Sequence, residues 1–228
     1  MQSIYVINLP YRTERRRDTE RELAKIGWQA EFFPAIRPSE AGDFPSIGAR
    51  GAFLSHLAVL RLARDQGARR LVILEDDVSF APGLTDQWAQ LAEFLESPGW
   101  SIFYAGHFLA GLGGLKKLSP EQTVMGGHFM VVNTPAIRRL VDGLETILSR
   151  PAGHPDGGPM HVDGAYSTLR RQDPHLITYA HLPALGYQRP SRTDIGEQKW
   201  FDRIGPLAHA VRLIRKARRF SNPARPPY

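Results

Sequence analysis

Three consecutive acids, Glu75, Asp76 and Asp77, follow the apolar run Leu71-Val-Ile-Leu74. If that run is a strand, its side chains alternate, so Glu75 and Asp77 project to the same side and can share a cation at the strand's carboxyl end. Ligands of open α/β sheets bind at that end. A hard divalent ion, Mg²⁺ or Mn²⁺, held by one or two carboxylates with substrate phosphates completing its shell, is a common way to hold a diphosphate. The bland alternative for an isolated acidic triplet is a polar turn.

Other residue types extend this chemistry. Asn8 and Arg12 follow the first apolar run, where an amide and a guanidinium can read a base edge and a phosphate; Arg12 is otherwise one more solvated charge beside Arg15, Arg16 and Arg17. His128 follows Gly126-Gly127, and its neutral imidazole can join Glu75 and Asp77 on a metal or simply line a pocket. Asp163 stands where a helix should begin, either as its cap or as a carboxylate able to take a proton from a hydroxyl. Arg192, in Gly186-Tyr-Gln188-Arg-Pro-Ser191-Arg192-Thr-Asp194, can neutralise a leaving group or pair with Asp194 on the surface. Ser55 and His56 are adjacent on a helix and point to different sides, which excludes a Ser-His-Asp nucleophile.

Alternating apolar runs and amphipathic segments position these groups. Strands are expected over Ser3 to Leu9, Gln29 to Ile36, Arg70 to Leu74, Trp100 to Tyr104, Thr123 to Val132, His175 to Ala180 and Ala184 to Gln188. Helices are expected over Thr13 to Ile26, Gly51 to Gln66, Leu84 to Leu95, Val162 to Arg171, and from a Thr134 cap with Pro135 to Leu148. The unalternating apolar run at 71–74 is that of a strand covered on both faces. The pattern predicts an α/β three-layer sandwich with a mostly parallel sheet.

The chain has 228 residues and a formal charge of +6, which favours phosphate, nucleic-acid or anionic-lipid partners over cations, without choosing among them. It has no cysteine, so thiolate metal sites and Cys nucleophiles are excluded. No stretch approaches the roughly 18 apolar residues of a membrane span. From Leu207 to Phe220, Leu207, Val211 and Ile214 recur at helical spacing among Arg212, Arg215, Lys216, Arg218 and Arg219, the pattern of a basic helix lying on an anionic membrane surface. We therefore expect one domain over 1–200 and a basic amphipathic helix and tail over 201–228. No nucleic-acid partner is expected, because no basic and aromatic interleaving occurs outside the tail.

Three motifs occur in order: Ile7-Asn8-Leu9 with Arg12; Gly51-Ala-Phe-Leu-Ser55-His56; and Leu74-Glu75-Asp76-Asp77-Val78. Together they resemble glycosyltransferase family 25, which includes lipooligosaccharide sugar transferases and is similar to the collagen galactosyltransferases. The resemblance covers most of Ser3 to Val78 and extends more loosely through His128-Phe-Met-Val-Val-Asn133 and Asp163. Ala52 lies where the family commonly has Cys.

The resemblance implies a GT-A-like, Rossmann-type fold, a UDP-sugar donor, a carbohydrate or glycolipid acceptor, and Mn²⁺ or Mg²⁺ on the acidic motif. It implies that Asn8, Arg12, Ser55, His56 and Asp76 contact the donor. It further implies transfer of a hexose, with galactose the family's example, by inversion, for which Asp163 is the first candidate base. Such an enzyme of cell-envelope glycan synthesis is expected in the cytoplasm, peripheral on the inner face of the bacterial cytoplasmic membrane. The competing readings are a nucleotidyltransferase using Mg-NTP, which shares a strand-end acidic motif, and a non-enzymatic basic module.

Overall fold

The fold is described from a computed structural model for residues 2–189. Arg192, the expected domain boundary at 200 and the basic segment 201–228 lie outside the described residues.

The described residues form one compact unit ending at Arg189. Nine strands make one mixed sheet: β1 (Gln2–Asn8), β2 (Glu31–Pro34), β3 (Arg70–Glu75), β4 (Val78–Phe80), β5 (Ile102–Gly106), β6 (Gly114–Lys117), β7 (Phe129–Asn133), β8 (Thr178–Leu182) and β9 (Gly186–Gln188). The main path runs β2-β1-β3-β7-β5-β8-β6, and β9 joins β5 to β4. The pairings leave β4, β6 and β7 running against the other six strands, so the sheet is mostly parallel in direction.

Helices cover both faces: α1 (Thr13–Lys25), α2 (Ile47–Asp65), α3 (Leu84–Gln90), α4 (Ala92–Glu96), α5 (Thr134–Ser149) and α6 (Val162–Gln172). The period of two in the strands accounts for this. Leu71 and Ile73 of β3, with Met130 and Val132 of β7, enter one apolar cluster with Leu57, Leu60, Leu140 and Ala165 of α2, α5 and α6. Val72, Leu74, Phe129 and Val131 enter the opposite cluster with Leu23, Leu84 and Leu95 of α1, α3 and α4 and with Leu91 between the last two. The expected three-layer α/β arrangement is therefore present.

Local differences follow from capping and turn chemistry. Helix α2 begins four residues earlier than expected, because Ser46 accepts a hydrogen bond from Ala49 N and caps it. The expected helix over 84–95 is divided at Leu91 into α3 and α4. Asn133, not Thr134, is the cap of α5. Residues 123–128 are loop, and only the apolar part of that stretch joins the sheet as β7. Helix α6 is capped at His161, so Asp163 lies inside its first turn.

Candidate active site at the carboxyl ends of β1 and β3

Strands β1 and β3 pair in parallel with Ile7 opposite Glu75, which brings Asn8 to the turn formed by Asp76 and Asp77. That turn is held from several sides. Asn8 Nδ2 donates to Asp76 Oδ2 at 2.8 Å, and Thr19 Oγ1 donates to the Asp76 carbonyl at 2.8 Å. Arg189 donates from Nη2 to the Asp76 carbonyl, from Nη1 to the Val78 carbonyl, and from its backbone N–H to the Asp77 carbonyl. Arg15 Nη1 reaches Asp76 Oδ1 at 2.7 Å and Asp77 Oδ2 at 3.2 Å.

A cleft of about 330 Å³ opens beside this turn, within the range of small-ligand sites. Ile7, Arg12, Ile36, His56, Glu75 and Asp76 are among the residues on its wall, and Tyr11, more than half exposed, stands at its edge with the Arg37 guanidinium 5.2 Å from its ring. Ser55 is fully buried beneath the wall. It donates to the Gly51 carbonyl and accepts from Ile36 N at 2.8 Å, tying the chain after β2 to α2. Gly51 permits this approach, since a Cβ there would lie 2.7 Å from the Ile36 carbonyl oxygen.

Charge is distributed unevenly among the acids. Glu75 lies at the rim, its Oε1 3.8 Å from His56 Nε2, an ion-pair rather than a hydrogen-bond distance, with Gln188 Nε2 3.4 Å from its other oxygen. Burial favours its neutral form, but His56 together with His128 and Arg15 outweighs that and holds its carboxyl below the usual range. Asp77 is pushed up to about 7, chiefly by burial and then by Glu75. Among the described residues its buried Oδ1 has no hydrogen-bond partner.

Whether these residues suit a divalent cation is answered in two parts. Among the described residues no three His, Asp or Glu side chains converge as a ready-made metal cage, so the expected set of Glu75, Asp77 and His128 is not assembled as one. His128 is packed inward: its Nε2 donates to the Gly186 carbonyl at 3.2 Å, and its buried Nδ1 has no partner among the described residues. The orphaned Asp77 oxygen beside Glu75 does suit a cation whose remaining ligands come from a substrate diphosphate.

The N-terminal segment that supplies most of this geometry also carries the sequence relationship: residues 1–107 match the model for Glycosyltransferase family 25 (LPS biosynthesis protein). The match ends at residue 107, a little under half of the chain, and its relationship is to glycosyltransferase family 25. A family 25 member from Aedes aegypti is 28% identical over 153 residues, covering 57% of this chain and 24% of that protein. One from Drosophila melanogaster is 32% identical over 100 residues, 35% of this chain and 16% of that protein. An inactive family 25 member 3 from Homo sapiens is 25% identical over 145 residues, 52% of this chain and 22% of that protein. The chain thus spans about a quarter or less of the length of these relatives. A solved glycosyltransferase involved in glycosylation of the major capsid of PBCV-1 shares the fold, with TM-score 0.53 and 14% identity over 85% of this chain and 96% of that one. The fold is GT-A-like.

Of the residues singled out from sequence, the cleft gathers Arg12, Ser55, His56, Glu75 and Asp76 along its wall, with Asn8 and Asp77 just behind. It does not gather Asp163. Both Asp163 oxygens accept backbone hydrogen bonds, Oδ2 from Gly126 N at 2.8 Å and Oδ1 from Gly127 N at 3.1 Å. Burial, and then Glu75, raises its carboxyl above the usual range against those two bonds. Its geometry is that of a loop clamp. Sequence reading missed Arg15, Thr19, Tyr166 and Arg189. For Arg15 a signal existed: the first turn of a helix that follows β1 stands next to whatever follows β3.

Proposed function

We propose that the protein is a glycosyltransferase that moves a hexose from a UDP-sugar to a carbohydrate or glycolipid acceptor in cell-envelope glycan synthesis. The observation that carries this reading is the cleft at the carboxyl ends of β1 and β3, with Glu75 and Asp76 on its wall and Asp77 directly behind it, its buried Oδ1 without a hydrogen-bond partner among the described residues. The family 25 match over 1–107 and the GT-A-like fold support it.

In this proposal the cleft takes the nucleotide. Tyr11 and Ile36 offer apolar surface to the base, and Arg12 faces its phosphates. Glu75 and Asp77 hold a Mn²⁺ or Mg²⁺ ion, which when bound supplies positive charge to the departing diphosphate. His56 keeps Glu75 ionised, and Asn8 and Thr19 keep the Asp76 turn in place. Asp163, first considered as the base, shapes the 126–127 loop and so positions His128. Transfer of galactose with inversion, and attachment to the inner face of a bacterial cytoplasmic membrane through the basic segment 207–220, belong to the same proposal.

The test is hydrolysis or transfer across a panel of UDP-sugars with and without Mn²⁺, repeated with Asp77→Ala. Manganese-dependent UDP release that disappears in the variant is expected. Pyrophosphate release from a nucleoside triphosphate plus a sugar phosphate would instead establish a nucleotidyltransferase, and flotation with anionic vesicles tests the membrane part separately.

A further inference from the structure

Arg15 sits in the first turn of α1, immediately after the loop from β1, and the parallel register of β1 on β3 carries it over the acidic turn. One guanidinium nitrogen, Nη1, meets a carboxylate oxygen of Asp76 at 2.7 Å and one of Asp77 at 3.2 Å. The two carboxylates are almost fully buried, whereas the Arg15 side chain retains 23% of its exposure. Burying adjacent carboxylates demands a positive charge, and in this protein a side chain supplies one at the place where a metal would act.

The two acids are not held alike. Asp76 keeps Asn8 on its other oxygen, and Thr19 and Arg189 on its backbone carbonyl, so the turn does not depend on Arg15. Asp77 has its second oxygen, Oδ1, buried and without a hydrogen-bond partner among the described residues. One Asp77 oxygen is thus left for a cation that reaches the buried turn, while the other is engaged by a guanidinium whose charge opposes it. A guanidinium is also well matched to a diphosphate.

We propose that Arg15 is an internal counter-cation for the acidic turn, displaced when a divalent ion and a nucleoside diphosphate arrive together, and that it then pairs with the diphosphate. This rests on the nucleotide-sugar reading of the cleft and makes Arg15 a positioning residue that couples the two binding events. The ion alone binds weakly because it competes with Arg15. The nucleotide gives Arg15 another partner, and by reciprocity each ligand raises the affinity for the other.

The test is Mn²⁺ binding, followed by loss of the aquo-ion electron paramagnetic resonance signal, with and without UDP, for the full chain and for Arg15→Gln and Arg15→Lys. Arg15→Gln is expected to bind Mn²⁺ alone about tenfold more tightly, and the gain in Mn²⁺ affinity conferred by UDP should shrink by about tenfold, within the usual range of site-to-site coupling. Arg15→Lys keeps the charge and should stay near the parent protein, which separates charge from misfolding. Unchanged Mn²⁺ affinity in Arg15→Gln, or an unchanged effect of UDP, overturns the proposal. A parent protein that binds neither Mn²⁺ nor UDP removes the nucleotide-sugar reading instead, and this inference with it.

Discussion

His56 Nδ1 lies 3.1 Å from the Tyr166 hydroxyl, and both residues are fully buried between α2 and α6. With the hydroxyl donating to Nδ1, the proton of His56 falls on Nε2, the nitrogen that faces Glu75. A tyrosine on the far side of the ring therefore decides which way the histidine addresses the acidic motif.

Removing that hydroxyl leaves a buried imidazole nitrogen unsatisfied. Tyr166→Phe should lose about 1 kcal/mol of stability in urea denaturation, as expected for one buried hydrogen bond, and should weaken UDP binding measured with Mn²⁺. A variant as stable as the parent would show that the bond contributes nothing.

His107 ties the end of β5 to β8. Its Nδ1 accepts from Leu109 N at 3.0 Å and its Nε2 donates to the His181 carbonyl at 3.0 Å, so the neutral ring satisfies both partners. Burial pushes its pKa down to about 4 from 6.5. The unfolded chain binds the proton first as pH falls, so stability from this residue is present above pH 6.5 and is lost progressively toward pH 4. The loss is about 3 kcal/mol at 1.36 kcal/mol per unit. Unfolding free energies measured from pH 7 to 4 should fall more steeply for the parent than for His107→Gln.

Asp163→Asn turns an amide group toward at least one of the backbone N–H groups of Gly126 and Gly127. A donor facing a donor in a buried site costs about 1–3 kcal/mol. We expect that loss in thermal or chemical unfolding, with turnover falling because the 126–127 loop shifts. Unimpaired stability together with abolished turnover would return Asp163 to the role of base.

Gly51→Ala places a Cβ 2.7 Å from the Ile36 carbonyl oxygen. Backbone must move, at a cost of about 1–3 kcal/mol, and the displaced wall should reduce UDP affinity by at least the same factor as Ser55→Ala, which removes the bond to Ile36 N. Calorimetric titration of UDP into both variants measures this directly.

Much of the site was legible in one dimension because it is local. An apolar run followed by three acids identifies a buried strand with carboxylates at its end, and Asn8 and Arg12 follow the only other such run in the first motif. Their order with Ser55-His56 carried the family resemblance, and the alternation of strands and helices carried the three-layer class. The partners of those residues were not legible, because side-chain direction depends on helix phase and strand register. Arg12, Arg15, Arg16 and Arg17 look interchangeable in sequence, yet Arg15 meets Asp76 and Asp77 while Arg16 lies over Phe32 and pairs with Glu20. Asp163 reads as a helix cap, but its carboxylate crosses to amides 36 and 37 residues away. The insertion of β7 antiparallel between β3 and β5 is likewise a pairing between distant segments, which local periodicity does not encode. Sequence alone pointed to the acidic motif with Asn8, Arg12 and His56 as a candidate site, and to the class of fold that presents them; the tertiary structure decided which of them touch, since contact between distant segments is set by packing of the whole sheet.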